Sequence, residues 1–170
     1  MDQEQPLCAS IRAKIHEQIE RTDHLIRLLP ENGVDWTPAI PGAWPAGMVL
    51  GHLLDCLAGF CAVLGAVKPD RLAHFGELRK LPVNHACSPD EAVGRIAIYR
   101  AHIDEGLAML EDADLRRQVP TVFVEPGETL LTLLLGNLEH LINHKHQLFM
   151  YLQLMGVGAN SGDLYCFRGG

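Results

Sequence analysis

The sequence predicts an all-α protein built as a four-helix bundle. Three observations carry that prediction: four stretches of about 20 residues have apolar positions at helical spacing, turn-forming residues bound each one, and no strand-rich region is seen outside one short segment, 118–129. At 170 residues the chain fits one domain, taken as residues 1–170.

The first helix is expected from about Leu7 to Leu29, with Ile11, Ile15, Ile19, Leu25, Ile26 and Leu29 near helical spacing, and it stops at Pro30, Asn32 and Gly33. The second opens after 41-PGAWPAG-47 and runs through 48-MVLGHLLDCLAGFCAVLGA-66. Pro45 suits its first turn, where a missing N–H costs nothing. The third begins at 88-SPDE-91, where Ser88 can cap, Pro89 fits the first turn, and Asp90 and Glu91 complement the helix dipole; it extends to about Leu110. The fourth starts near Glu128 or Thr129 and ends at Gly156. Before it, 118-QVPTVFVEPGET-129 reads as a short extended excursion and turn. The connection from about Val67 to Cys87 is long enough to travel the length of the bundle, which permits the second and third helices to run parallel.

Composition narrows the function. The 14 basic residues are scattered among 21 acidic ones, giving a net charge of -7 and no basic run, so nucleic acid is not an expected partner. MDQEQPLCAS has no basic start followed by an apolar core, and no window is apolar without interruption over the ~18 residues of a membrane span. The expectation is a cytoplasmic protein without a membrane partner. Five irregularly spaced cysteines without a CxxC indicate reduced thiols.

The chemistry-bearing stretch is 137-NLEHLINHKHQLFMYLQLMG-156. With each residue advancing about 100°, Asn137, His140, His144, Gln147 and Tyr151 fall in an arc of roughly 80°, while Glu139, Asn143 and His146 point the other way. His140 and His144 at i and i+4 can present two imidazoles to one divalent ion, and His52 on the second helix is the best third ligand. Two alternatives use the same residues. A core histidine bonded to Asn137 or Gln147 also fits, and Cys56, at i+4 from His52, is a rival ligand. His16, His24, His74, His85, His102 and His146 read as ordinary exposed or loop residues on amphipathic segments. Trp36 and Trp44 read chiefly as packing residues at one end of the bundle.

The combination of 36-WTPAIPGAWPAGMVLGHLLD-55 with 140-HLINHKHQLFMYLQLMG-156 resembles the DinB-like superfamily of small bacterial metalloproteins, described together with the YfiT-like metal-dependent hydrolases. The family's "HLxD"-like context is matched by His52, Leu53 and Asp55, and its "YLxLxG"-like ending by Tyr151, Leu152 and Gly156. The resemblance implies an up-down-down-up bundle whose three histidines bind a divalent ion, often zinc or nickel, with positions open for water or substrate. That ligand role falls on His52, His140 and His144. Where the family commonly reads "HHRGQ" this chain has 143-NHKHQ-147, so Asn143, Lys145 and His146 stand beside the site in place of a histidine, an arginine and a glycine. The resemblance also implies thiol-dependent transfer or isomerisation, with a low-molecular-weight thiol such as mycothiol or bacillithiol as cosubstrate.

Three neutral imidazoles leave an ion its full charge and a fourth position free, where a small-molecule substrate, a water or a thiol can be activated. Asp55, the candidate catalytic residue, can orient His52 or accept a proton. Asn137 and Gln147 can fix an imidazole tautomer. The reading is a metal-dependent thiol transferase or hydrolase; the alternative is a non-enzymatic metal-binding or stress-response module. Apolar residues around most of the fourth helix add the expectation of a homodimer.

Overall fold

The computed structural model describes residues 6–121 and 125–166. Four long helices dominate it: α1 (Leu7–Leu28), α2 (Ala46–Val67), α3 (Pro89–Ala108) and α4 (Leu130–Leu154). Each lies within a residue or two of its expected span, and the first amides of every helix find an acceptor. The first amides of α1, Leu7 and Cys8, donate to the carboxylate of Asp112 at 3.0 and 2.9 Å. At the start of α2, Ala46 and Gly47 donate instead to the carbonyls of Trp36 and Val34, at 2.9 and 2.8 Å. Pro45 stands just before that helix rather than in its first turn. Ser88 Oγ accepts from Glu91 N, and Thr129 Oγ1 accepts from Thr132 N. At the far end of α4, Gly156 takes a positive φ of 77° while Val157 N donates to Leu152 O and Gly156 N to Gln153 O, the Schellman arrangement that only a residue free of β-carbon strain adopts readily.

α2 packs against both α3 and α4, and α1 packs against the same pair. Cys87 N donates to Gly47 O at the start of α2, while Gly106 lies against Leu64 near its end, so α2 and α3 run parallel. Asn137 lies against Gly59 and Tyr151 bonds back to Trp44, so α4 runs antiparallel to α2. The core centres on Leu50, Leu53, Leu54, Leu57, Phe60 and Leu64 of α2, all fully buried. Each such side chain contributes roughly 1.5–3 kcal/mol by leaving water. By length and composition α2 is apolar enough to cross a membrane. Here one side of it is covered by α3 and α4, while Ala62 and Ala66 on its outer side stay exposed.

Two features go beyond the sequence-based expectation. The α2–α3 connection is not irregular throughout: Ala73–Lys80 forms a 3₁₀ segment that lays Phe75 against α2. The extended excursion is a two-residue ladder, β1 (Gln118–Val119) pairing antiparallel with β2 (Glu128–Thr129), and residues 122–124 between them lie outside the described residues. Cys8, Cys56, Cys61 and Cys87 are free thiols, as expected; burial pushes Cys56, Cys61 and Cys87 up to about 12.

The tightest approach in the bundle is at Gly51, where a β-carbon would overlap the backbone carbonyl of His85. Gly51→Ala should therefore cost about 3 kcal/mol or more in urea unfolding, since backbone cannot yield as a side chain would. Gly94, mid-helix in α3 with open space at its β-carbon position, provides the contrast. Gly94→Ala should gain about 0.5–1 kcal/mol, and equal effects of the two substitutions would contradict the packing described.

Candidate metal centre

Three imidazoles converge between α2 and α4. His52 Nε2 lies 3.0 Å from His140 Nε2, and the ring centroids of His52, His140 and His144 are 4.3 to 4.9 Å apart. One ring nitrogen from each of the three falls within 4.8 Å of the others. The i, i+4 spacing on α4 sets two rings one turn apart, and the antiparallel course of α2 brings His52 between them.

A chain of hydrogen bonds decides which nitrogen His144 offers. The Trp44 carbonyl can only accept, so Tyr151 Oη donates to it, at 3.1 Å. The phenol oxygen then accepts from Gln147 Nε2 at 3.3 Å. That orientation turns Gln147 Oε1 toward His144 Nδ1, 2.8 Å away. His144 Nδ1 must therefore carry the proton, and Nε2 keeps its lone pair for the shared space. Trp44 completes the wall: it stacks on His144 at 6.0 Å and 14°, and meets His52 edge-on at 5.1 Å. Trp36 in turn packs edge-on against Tyr151.

The donor set fits a divalent ion. Nitrogens about 2.1 Å from one ion stand roughly 3.0 to 3.4 Å from one another in octahedral or tetrahedral geometry, so the observed His52–His140 separation needs little adjustment. Burial, and then the neighbouring imidazoles, lower the pKa of His52; burial and then His144 lower that of His140. Neutral rings with free lone pairs are what coordination requires.

The other residues singled out by sequence divide sharply. Asp55 sits at the opposite edge of His52, its Oδ2 3.8 Å from Nδ1, too long for a hydrogen bond, and that oxygen accepts from Asn84 N at 3.0 Å. Asp55 Oδ1 is buried with no hydrogen-bond partner among the described residues. Cys56 is buried, with its thiol pushed up to about 12, and does not join the cluster. Gln147 supports a ring as anticipated, but Asn137 packs its side chain on Gly59 instead. His146 is exposed, while His16, His24, His74 and His85 each face a carboxylate: Asp104, Asp163, Glu105 and Glu91. Lys145 is not beside the rings: it is buried on the other face of α4, its ammonium bonded to Gln18 Oε1 at 2.8 Å and Leu164 O at 3.3 Å, and burial pulls its pKa down to about 8.

Sequence reasoning missed the clamp behind Asp55. Asn84, at a φ of 52°, sits in a loop that Arg95 holds through the Pro82 carbonyl while Arg95 also donates to Tyr99 Oη. Only the position of Arg95 on a core-facing turn of α3 hinted at it.

A sequence profile of the DinB superfamily matches residues 14–148, a span that includes all three histidines. No curated protein matches the chain. Among solved structures the chain is similar to the crystal structure, at 2.30 Å resolution, of a DinB-like protein, YjoA, from Bacillus subtilis. The identity is 20%, the TM-score 0.66, and the match covers 86% of this chain and 92% of that one. At that identity the likeness concerns the fold alone.

An imidazole whose pKa is lowered by folding stays neutral in the folded chain and gains a proton on unfolding in mild acid. Its contribution is in place above the ordinary value of 6.5 and is lost as pH falls from there through the lowered folded value. Metal-free protein should melt at progressively lower temperature below pH 6.5, with a shallower decline in the His52→Ala/His140→Ala double variant. An identical slope in the two proteins would refute this assignment.

Proposed function

The chain belongs to the DinB superfamily, and on that premise we propose that it is a metal-dependent enzyme transferring a low-molecular-weight thiol to a small electrophilic substrate. The observation that carries the proposal is the convergence of His52, His140 and His144 with one ring nitrogen each inside 4.8 Å, no carboxylate or thiolate among them. A divalent ion, zinc or nickel by the family resemblance, would keep its full charge there and supply Lewis acidity to whatever fills its open position.

The chain's own groups favour the thiol over water. Asp55 stands at the Nδ1 edge of His52, away from the nitrogen that faces His140, and Asn84 N already occupies one of its oxygens. At 3.8 Å it makes no hydrogen bond to the ring and acts on His52 through its charge alone, which favours a proton on the Nδ1 that faces it. No base from Asp55 then reaches the shared face of the rings. A thiol, with an ordinary pKa near 8.5, needs less help to ionise than water. Gln147 holds His144, Tyr151 holds Gln147, and the Trp44 ring lies against His52 and His144 on one side of the cluster. Leu135, Ile142, Met150 and Leu154 are exposed along α4, which supports a homodimer as the working assembly.

Elemental analysis of untagged protein should find close to one equivalent of divalent metal, lost in His52→Ala and in His144→Ala. Added zinc or nickel should raise the melting temperature of the wild type and of neither variant. Gln147→Ala should retain the fold and bind metal roughly 10- to 100-fold more weakly. With metal loaded, thiol transfer to electrophiles should exceed ester or amide hydrolysis. Wild type that binds no ion, and gains no stability from any, would end the enzymatic reading.

A further inference from the structure

A second feature lies on the outer side of α2, apart from the three histidines. The Ala73–Lys80 segment does not close onto α2 along its length: the helix presents only the small residues Ala58, Ala62, Gly65 and Ala66 there, which leaves space beside Phe75 and Leu78. What remains is a cavity of about 570 Å³, within the range of small-molecule sites. Even a β-carbon at Gly65 would meet Phe75 only at ordinary contact distance, 3.6 Å. Leu72 and Phe75 are buried in its floor, whereas Val83 at the rim is 55% exposed.

The side chains that line it are apolar apart from Cys61 and Arg79. Cys61 contributes a thiol that already bonds the Tyr99 carbonyl, so no side chain in the floor is free to recognise a sugar, a base or a peptide by hydrogen bonds. Arg79 is the single charged residue in the wall. Among the described residues its guanidinium has no carboxylate partner, while its neighbour Lys80 is paired with Glu77. On a chain of net charge -7, an unpaired guanidinium over an apolar trough is the complement of a molecule with an anionic head and a hydrocarbon tail.

We propose that this cavity binds a single-chain amphipathic carboxylate, its tail along Ala58, Ala62 and Gly65 and its carboxylate on Arg79. The site needs none of the residues of the histidine cluster and stands whether or not that cluster holds an ion.

Isothermal titration of the full chain with sodium hexanoate, octanoate and decanoate tests this below their micellar concentrations. One-to-one binding should tighten roughly 3- to 4-fold per added methylene, the increment expected for a CH₂ leaving water. Decyltrimethylammonium, with the same tail and the opposite charge, should bind at least 10-fold more weakly, and Arg79→Glu, an exposed change that leaves the core intact, should erase or reverse that preference. Ala62→Trp should fill the trough and abolish binding with the melting temperature unchanged. The proposal is overturned by absence of saturable binding, by equal affinity for the cationic amphiphile, or by undiminished binding in Ala62→Trp. It is also overturned if the protein ignores decanoate yet co-sediments with phosphatidylglycerol vesicles, which would assign the face to a lipid surface.

Discussion

The close packing of α2 against α4 is the constraint from which the rest of the molecule follows. α2 carries more apolar surface than one neighbour can cover, so it must lie inside the bundle, with α3 and α4 on either side. Its separation from α4 is set where Asn137 meets Gly59, with Asn137 Oδ1 only 3.0 Å from where a β-carbon would stand. That small residue lets the helix axes approach, and two turns away the approach becomes the meeting of His52 with His140 and His144. The polar cluster is thus held by an apolar interface, and its precision comes from the stiffness of close-packed side chains.

Around the rings, hydrogen bonds do what packing cannot: they choose between chemically equivalent states. The run from the Trp44 carbonyl through Tyr151 and Gln147 to His144 begins at an atom that can only accept and ends by fixing a tautomer. The same loop that supplies this carbonyl also caps α2 through Trp36 and Val34. Capping and tautomer selection are therefore coupled in one segment. On the other side, Gly51 admits the loop around His85 against α2, and Asn84 then reaches Asp55. Arg95 holds that loop from α3, so the surroundings of His52 depend on residues from three separate parts of the chain.

Lys145 shows how strongly burial reshapes a side chain that sequence places among polar neighbours. It lies next to His144 in sequence but turns to α1 and the C-terminal turn, where two oxygen acceptors replace its water. A helix advances about 100° per residue, and one step is enough to move a group from the metal-facing side of α4 to the side that holds Leu164.

The sequence by itself determined the four helices, their caps and the i, i+4 pair on α4, because these rest on interactions within a few residues of chain. It also marked His52 and Asp55 as belonging together, and the family pattern pointed to the triad. The tertiary structure alone decided what each group does. It separated Cys56 from the cluster, turned Asn137 onto Gly59, assigned the proton on His144, set Asp55 behind its histidine, and opened the cavity under Ala73–Lys80. These outcomes depend on contacts between residues as far apart as 52 and 140 or 44 and 151, whose geometry is set by the packing of the whole bundle rather than by any local preference.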